Sequence, residues 1–472
     1  MRRARFTRRQ RQILILMSIS VLVVFGLMGF SVFYVMRQSP TPAPATNTPP
    51  PLSPLHTATP GTVSPGPSPT PSPRPTAVPT PLSQLQSARV VNELTQIVAG
   101  VRDLPAVEQI PVTFPTAREV AIGLLQRYQE EQPQQELTLP IALGLIPPLD
   151  PLPLPDVTAQ AAHISSRYLP AERQILIVVS RSPTTADDER SLVRAIARAL
   201  LDQQFSLATL TPCQPTTDAA LALRALVEGD AVLTTARYAN PQPAPTDLEH
   251  LAQMAADAEE PTYAALADNA AFARLRLFPY REGAQFVAAL YDSGRWAAVN
   301  RAYARPPCST EQVLHPERYT AAAQTQVVAM PDLGPVLGEG WRLLRRDTMG
   351  ELLIGLHLAS HLADEATAWE AADGWAGDML TLWQREDGAS LIAWRTAWDS
   401  QQDAVAFEQA YTRLVPHFRV PPLLLVETPF GLPGRLWTGA AGAAYLARSG
   451  RMVTVVWGAD AETVVAVAEV LP

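Results

Sequence analysis

The sequence predicts a mainly helical α+β domain that follows a single transmembrane helix and a proline-rich stalk. Three observations lead to this fold class. Residues 13–36 form a run of 24 residues without a charge, which is long enough to span a bilayer as a helix. Residues 39–83 contain 16 Pro and 15 Ser or Thr. From Leu82 onward, apolar residues recur mainly with helical spacing.

The amino-terminal segment predicts an uncleaved signal anchor. Residues 1–12 contain six Arg and no acidic residue, and the positive-inside rule places such a tail in the cytoplasm and the rest of the chain outside it. A cleaved signal peptide is the alternative, but its apolar region would span only about 7–15 residues. The prediction is a single-pass protein of the cell membrane, with the lipid bilayer as partner of residues 13–36.

The composition of residues 37–83 predicts a disordered stalk, because a segment so rich in Pro, Ser and Thr cannot bury a core and favours extended conformations. Eight of the 37 Arg lie before residue 84, which leaves 29 Arg against all 45 acidic residues in residues 84–472. A domain with this excess of negative charge is expected to repel nucleic acid. The chain contains no Lys, which excludes a P-loop and a Lys Schiff base.

Local patterns within residues 84–472 predict many helices and few strands. Thr116 is a predicted helix cap, and Thr216, Thr217 and Asp218 form a predicted N-cap cluster, because each precedes a segment with helical spacing of apolar residues. The predicted helices are 90–98, 117–131, 187–205, 217–238, 246–258, 283–293, 346–372, 401–414 and 461–471. The predicted strands are 175–179 and 452–457, and residues 374–378 are expected to form a structural turn.

Five segments of the domain together resemble a known family. Residues 199–205 (ALLDQQF) and 225–231 (ALVEGDA) are similar to two helices of exported bacterial and archaeal zinc-metallopeptidase-like proteins, which read HExxHALQDQxF and ALxEGDA. The other three segments are 278–283 (FPYREG), 309–316 (STEQVLHP) and 374–378 (GWAGD). The resemblance implies a zincin-like extracytoplasmic domain over residues 84–472, with Glu228 at the position of the third metal ligand.

The metal-binding motif itself is degenerate in this chain. Where the family has HExxH, this sequence has Arg194 and Arg198 at the two ligand positions and Ala195 at the position of the base. Arg has no lone pair for a metal and Ala cannot accept a proton, whereas such a site needs two His and a Glu. The resemblance therefore implies no catalytic residue and no zinc, and it predicts a hydrogen bond from Arg198, or failing that Arg194, to Glu228. Without it, two Arg one helical turn apart are more typical of a solvated face.

Other side chains offer alternatives. His357 and His361 are spaced i, i+4 on a predicted helix and could bind a metal, although packed or capping histidines are the other interpretation. His315 is expected to fix a loop or to line the cleft. Cys213 and Cys308 are expected to form a disulfide in an exported domain, with two buried thiols as the alternative.

These observations predict a membrane-anchored, catalytically degenerate metallopeptidase-like protein that binds a peptide or protein in its cleft, or has a structural role, at the cell surface. The alternative is an active metal-dependent hydrolase with a non-standard site at His357 and His361. A third possibility is an envelope spacer with a bulky head.

Overall fold

The computed structural model describes residues 84–179 and 185–471, which fall within one compact unit. Fifteen α-helices and ten β-strands are found in this part of the chain. Most helices precede residue 341, and we call residues 84–340 the helical region and residues 341–471 the sheet region. The predicted tail, span and stalk (residues 1–83) lie outside the described residues.

Eleven helices belong to the helical region and four to the sheet region. The first group is α1 (Gln84–Arg102), α2 (Ala117–Glu131), α3 (Thr138–Ala142), α4 (Val157–His163), α5 (Ala186–Phe205), α6 (Thr217–Ala239), α7 (Pro245–Glu259), α8 (Ala270–Ala304), α9 (Thr310–Leu314), α10 (Pro316–Thr320) and α11 (Gly334–Leu337). The second group is α12 (Gly350–His361), α13 (Glu365–Glu370), α14 (Gln401–Phe418) and α15 (Ala461–Val470).

Polar caps determine where the longer helices begin. Thr116 before α2 and Thr185 before α5 form capping boxes with Glu119 and Asp188, so backbone N–H groups that a helix leaves unpaired at its start are satisfied. Thr216 caps α6 through its side-chain oxygen. The predicted cap at Thr116 is confirmed, and within the predicted cluster 216–218 the capping residue is Thr216.

A small three-stranded sheet lies in the helical region. Its strands are β1 (Val112–Thr113), β2 (Ser166–Leu169) and β3 (Gln174–Ile177). They are arranged in the order β1-β3-β2, with β3 parallel to β1 and antiparallel to β2. Among the described residues, β2 is at the edge of this sheet and pairs with another strand on one side only.

The sheet region is built on seven antiparallel strands. They are β4 (Trp341–Asp347), β5 (Trp375–Arg385), β6 (Ser390–Trp398), β7 (Leu424–Val426), β8 (Arg435–Gly439), β9 (Gly442–Ser449) and β10 (Met452–Gly458), in the spatial order β4-β5-β6-β10-β9-β8-β7. Both faces of the central strands are buried. Val455 packs into the main core, and the next residue, Val456, packs into a second core with Val464 and Val467 of α15.

The helices α6 and α8 touch through glycine. A Cβ atom on Gly229 would lie 2.2 Å from the backbone of Gly283, and one on Gly283 would lie 2.3 Å from the carbonyl oxygen of Ala225. Only glycine allows two backbones to approach this closely. The glycines of the segments 225–231 and 278–283 therefore have a packing role.

Cys213 and Cys308 are joined by a disulfide, with Cα atoms 5.3 Å apart. The predicted bond is confirmed. It connects the segment before α6 to the segment before α9, so residues 213–308 form a covalent loop that contains α6, α7 and α8.

The predicted fold class, a mainly helical zincin-like domain behind a transmembrane helix, is wrong. A seven-stranded antiparallel sheet accompanies the fifteen helices, and the sequence predicts only one of its strands, β10. Strands buried on both faces need not alternate apolar and polar residues, and in β6 Arg395 and Thr396 also interrupt the apolar run that marks β10. The predicted helix 346–372 is in fact the end of β4, α12 and α13, because Gly350 has φ +70° and Asp364 caps a new helix.

The predicted signal anchor, transmembrane helix and single-pass location in the cell membrane are also corrected. Within residues 84–179 and 185–471, no helix is both long and apolar enough to cross a membrane. The predicted span at residues 13–36 lies outside those ranges.

Candidate functional site

The degenerate motif positions meet where α5 crosses α6. Arg198 donates a hydrogen bond from Nη1 to Oε1 of Glu228, and Nη1 of Arg194 lies 3.8 Å from Oε2 of the same carboxylate. The hydrogen bond predicted between Arg198 and Glu228 is therefore present. The neighbouring side chains Ala195 and Ala199 on α5 are buried.

A second carboxylate joins these arginines from the end of α7. Glu259 accepts a hydrogen bond of 2.7 Å from Nη2 of Arg194, and its other oxygen lies 2.7 Å from Nε of Arg167 on β2. Burial alone would raise the pKa of Glu259, but Arg167, Arg194 and Arg198 hold it well below its usual range. Glu259 is therefore ionised at neutral pH.

A third pair continues the cluster. Arg224 on α6 donates to Glu260, which also accepts a hydrogen bond of 2.8 Å from the hydroxyl of Tyr280 on α8. Burial and the charge of Glu260 raise the pKa of Tyr280 well above its ordinary value, so this tyrosine stays a hydrogen-bond donor. We call the whole set the arginine–glutamate network: Arg167, Arg194, Arg198, Arg224, Glu228, Glu259 and Glu260.

Several polar atoms of the network are buried without a hydrogen-bond partner among the described residues. They are Nη1 of Arg167, Nη1 of Arg194, Nε of Arg198 and Oε2 of Glu228. Buried polar atoms are nearly always paired with protein or ordered water. Unpaired donors beside an unpaired acceptor favour a site that binds water or the polar groups of a ligand.

The network does not fit a zinc ion. Arg194 and Arg198 present only hydrogen-bond donors. Burial would lower the pKa of Arg198, but the negative charges of Glu228 and Glu259 outweigh this effect and raise the pKa above its usual value. Glu228 alone cannot supply the three protein ligands of a catalytic zinc site. The chemistry available is hydrogen bonding and charge recognition.

An open cleft of about 940 Å³ ends on this network. Helix α2 forms one wall, and β2 and the segment after β1 contribute further lining residues. Arg198, Arg224, Glu228, Glu259 and Glu260 are among the side chains that line it. A second, more apolar cleft of about 600 Å³ shares Arg224 and Glu260 with the first, so the Arg224–Glu260 pair stands between two adjoining cavities.

The mouth of the larger cleft is acidic. Four exposed glutamates, Glu119, Glu130, Glu131 and Glu172, line the cleft, whereas the arginines that line it, Arg127, Arg167, Arg198 and Arg224, are buried or partly buried. Unlike the network, these carboxylates keep their contact with solvent. A negative mouth attracts ligands that carry positive charge.

Another carboxylate of α6, Asp230, lies outside the network and pairs with Arg102. Each oxygen of Asp230 accepts two hydrogen bonds: from Arg102 Nε and Thr234, and from Arg102 Nη2 and Tyr303. Arg102 also lies over the ring of Trp296, 4.3 Å from its centre. Sequence reasoning missed this pair, because nothing in the segment 225–231 marks Asp230 as the partner of an arginine 128 residues away.

The comparisons with known proteins concern the sheet region. A family model described as a domain of unknown function (DUF8575) matches residues 341–468. No curated protein and no solved structure matches the chain. The DUF8575 match contains all seven strands of the large sheet, whereas the arginine–glutamate network lies entirely before it.

The alternative histidines lie inside the DUF8575 match. His357 is buried, with Nδ1 2.7 Å from the carbonyl oxygen of Leu143 and Nε2 3.2 Å from the hydroxyl of Tyr411. Burial lowers its pKa to about 3, so its ring is neutral. Both ring nitrogens of His357 have partners, so the packed interpretation agrees with its geometry better than metal binding does, whereas Nε2 of His361 is buried without a hydrogen-bond partner among the described residues.

The segments 309–316 and 374–378 make buried hydrogen bonds at the starts of α6 and α12, and His315 connects the helical region to the sheet region. Thr310 hydrogen-bonds to Asp218 at the start of α6 through its hydroxyl and its backbone N–H, at 2.6 and 2.8 Å. Asp378 accepts the N–H groups of Met349 and Gly350 at the start of α12. His315 lies 2.9 Å from Oε1 of Glu351. Residues 374–378 are thus more than a turn, since four of the five belong to β5.

Proposed function

We propose that this chain is a metallopeptidase-like protein without peptidase activity, which binds a peptide or a protein segment in the cleft that ends on the arginine–glutamate network. The observation that carries the proposal is the contact of Arg198 with Glu228 at the end of a 940 Å³ cleft. The two side chains stand where the resemblance to zinc metallopeptidases expects metal ligands.

The size and lining of the cavities support a polypeptide ligand. Binding pockets for small molecules are commonly about 300–1,000 Å³, and the larger cleft is followed directly by a second one of about 600 Å³. Two adjoining cavities suit an extended ligand. Edge strand β2 lines the larger cleft through Arg167, Tyr168 and Leu169, and peptides often bind by pairing with such an edge.

The charge distribution supports a ligand with basic residues. The network neutralises most of its own charge, because each of its three carboxylates has at least one guanidinium partner. Among the described residues, none of the four exposed glutamates that line the cleft forms an ion pair. Basic side chains would therefore be recognised at the mouth, and the backbone of the ligand by the unpaired polar atoms deeper in the cleft.

Peptide binding tests the proposal. Fluorescence anisotropy with labelled short peptides should show tighter binding of basic than of acidic peptides with the same apolar residues, and weaker binding as salt rises. Replacing two mouth residues, Glu130→Gln with Glu131→Gln, should weaken binding of basic peptides about threefold to tenfold. The matched control, Glu462→Gln with Glu469→Gln on α15, removes the same charge far along the chain and should leave the affinity unchanged.

The outcomes that contradict the proposal are distinct. If no peptide binds, the proposed ligand class is wrong. If the α15 control loses as much affinity as the Glu130→Gln, Glu131→Gln variant, the peptide does not bind in the cleft. Casein cleavage by zinc-loaded protein, abolished by a chelator, would contradict the absence of peptidase activity.

A further inference from the structure

Three ligand-type side chains meet at the boundary of the helical and sheet regions, outside the cleft. They are His315 after α9, Glu351 in the first turn of α12 and Asp373 before β5. One ligand atom from each lies within 4.8 Å of the other two, and the described part of the chain contains no second group of three such residues.

The distances between these atoms suit a shared ion. Nε2 of His315 is 2.9 Å from Oε1 of Glu351 and 3.9 Å from Oδ1 of Asp373. Two ligand atoms held about 2.1 Å from one metal ion at 90–110° lie roughly 3.0–3.4 Å apart. Small side-chain adjustments would bring all three atoms into one coordination sphere.

Glu351 supplies an independent sign of a missing partner. The residue is 3 % exposed, and its Oε2 has no hydrogen-bond partner among the described residues. Leaving a carboxylate oxygen buried and unpaired is costly. A bound cation would satisfy this oxygen.

The surroundings resemble the outer shell of a metal site. The other ring nitrogen of His315, Nδ1, lies 3.6 Å from Oε1 of Glu317, and metal-binding histidines commonly direct their second nitrogen to a carboxylate. Arg318 is the one neighbouring cation among the described residues. It forms its close pairs with Glu311 and Asp399, at 2.6 and 2.5 Å, and its contact with Asp373 is longer, at 3.6 Å.

We propose that His315, Glu351 and Asp373 bind one divalent transition-metal ion, with zinc as the first candidate. One imidazole and two carboxylates are ligands that zinc accepts, and three protein ligands leave a position for water. Since Glu351 and Asp373 belong to the DUF8575 match and His315 does not, the ion would link the two regions of the chain.

Calorimetric titration of the chelator-treated full chain with zinc tests the proposal. One equivalent should bind, and His315→Gln and Asp373→Asn should each weaken the affinity by about 100-fold or more. Glu317→Gln should weaken it about tenfold, as expected for a second-shell carboxylate. Zinc should also raise the melting temperature of the wild type but not that of Asp373→Asn. Because Asp373 is largely exposed, this variant should fold.

The exposed residues His163 and Asp268 provide matched controls. His163→Gln and Asp268→Asn should bind zinc like the wild type. The proposal is overturned if the wild type binds no zinc, or if His315→Gln and Asp373→Asn bind it as tightly as the two controls.

Discussion

Glu228 and Asp230 lie two residues apart on α6, and both are buried carboxylates that face arginine, yet their surroundings differ. Asp230 receives four hydrogen bonds, and both its side chain and that of Arg102 are 0 % exposed. Among the described residues, Glu228 has a hydrogen-bond partner for one oxygen only, its other oxygen lies 3.8 Å from Arg194, and it lines a cleft. Complete pairing of a carboxylate is typical of a side chain that holds the fold together, and here only Nη1 of Arg102 is buried without a hydrogen-bond partner among the described residues. Incomplete pairing beside a cavity is what a binding site requires.

Breaking the Asp230 side of this comparison should have the largest effect. Arg102→Ala leaves a carboxylate buried without its charge partner, which should lower the free energy of unfolding by about 3–5 kcal/mol. Replacing both partners, as Arg102→Met with Asp230→Leu, should recover much of that loss. Chemical denaturation measures both.

Arg89 on the same helix is the control for Arg102, because its pair with Glu93 is exposed. Arg89→Ala should leave the denaturation midpoint where it is. Equal stabilities for Arg89→Ala and Arg102→Ala would mean that the buried pair of Arg102 with Asp230 contributes no more than an exposed pair. That result would contradict the structural role given to Asp230.

Gly229 lies between the two carboxylates, and its replacement should disturb both. In Gly229→Ala the new methyl group would meet the backbone of Gly283, which cannot move without separating α6 from α8, so we expect a loss of about 3 kcal/mol. Gly123→Ala on α2 is the matched control, since a Cβ atom added there would meet nothing within 4 Å, and it should be neutral or stabilising. A thermal melt in which both variants behave alike would contradict the packing role of Gly229.

The Glu228 side should show a smaller effect. Arg198→Ala removes the hydrogen bond to Glu228, but Arg194 remains 3.8 Å away and the cleft admits water, so we expect a loss of about 2–3 kcal/mol. Arg198→Ala with Glu228→Gln should be more stable than Arg198→Ala alone, because no unpaired charge is left. If the double variant melts at or below the temperature of the single one, the pair is not the source of the stability.

His357 sharpens the comparison as a buried polar group without a charge partner. Its pKa is lowered by burial from 6.5 to about 3. Between these two values, His357 is therefore protonated in the unfolded chain and neutral in the folded chain. Stability is full above the unfolded pKa and falls as the pH decreases, by about 2 kcal/mol at pH 5. Denaturation of His357→Gln should show a shallower loss between pH 7.5 and pH 5, whereas exposed His163→Gln should keep the wild-type slope. Parallel slopes for all three proteins would exclude His357 as the cause.

Local signals explain what could be predicted from the sequence. Helix caps such as Thr116 and Thr216 act over three or four residues, and a short window contains the whole interaction. The contact of Arg198 with Glu228 is predicted from the resemblance of residues 199–205 and 225–231 to two facing helices of the metallopeptidase-like proteins, and the contact is present. The fold class was wrong where the signal is irregular: β10 is a run of apolar and β-branched residues and could be predicted, whereas β5 and β6 contain polar residues such as Asp378 and Arg395 without a regular alternation.

Long-range partners explain what could not be predicted at the site. Arg167 comes from a short strand, and Glu259 and Glu260 come from the end of α7 and the residue after it. No spacing along the chain connects these positions to Arg194 or Arg224. Two adjacent acidic residues before Pro261 were the one available signal, and that pattern also occurs at ordinary helix ends.

The disulfide has a consequence for how the molecule would behave when cut. All three glutamates of the arginine–glutamate network lie inside the loop closed by Cys213 and Cys308, whereas Arg167, Arg194 and Arg198 lie outside it. The turn at residues 240–242, between α6 and α7, is exposed and would be accessible to a protease. A single cut there would leave two fragments that migrate as one species until a reductant is added, with donors and acceptors of the network still held together.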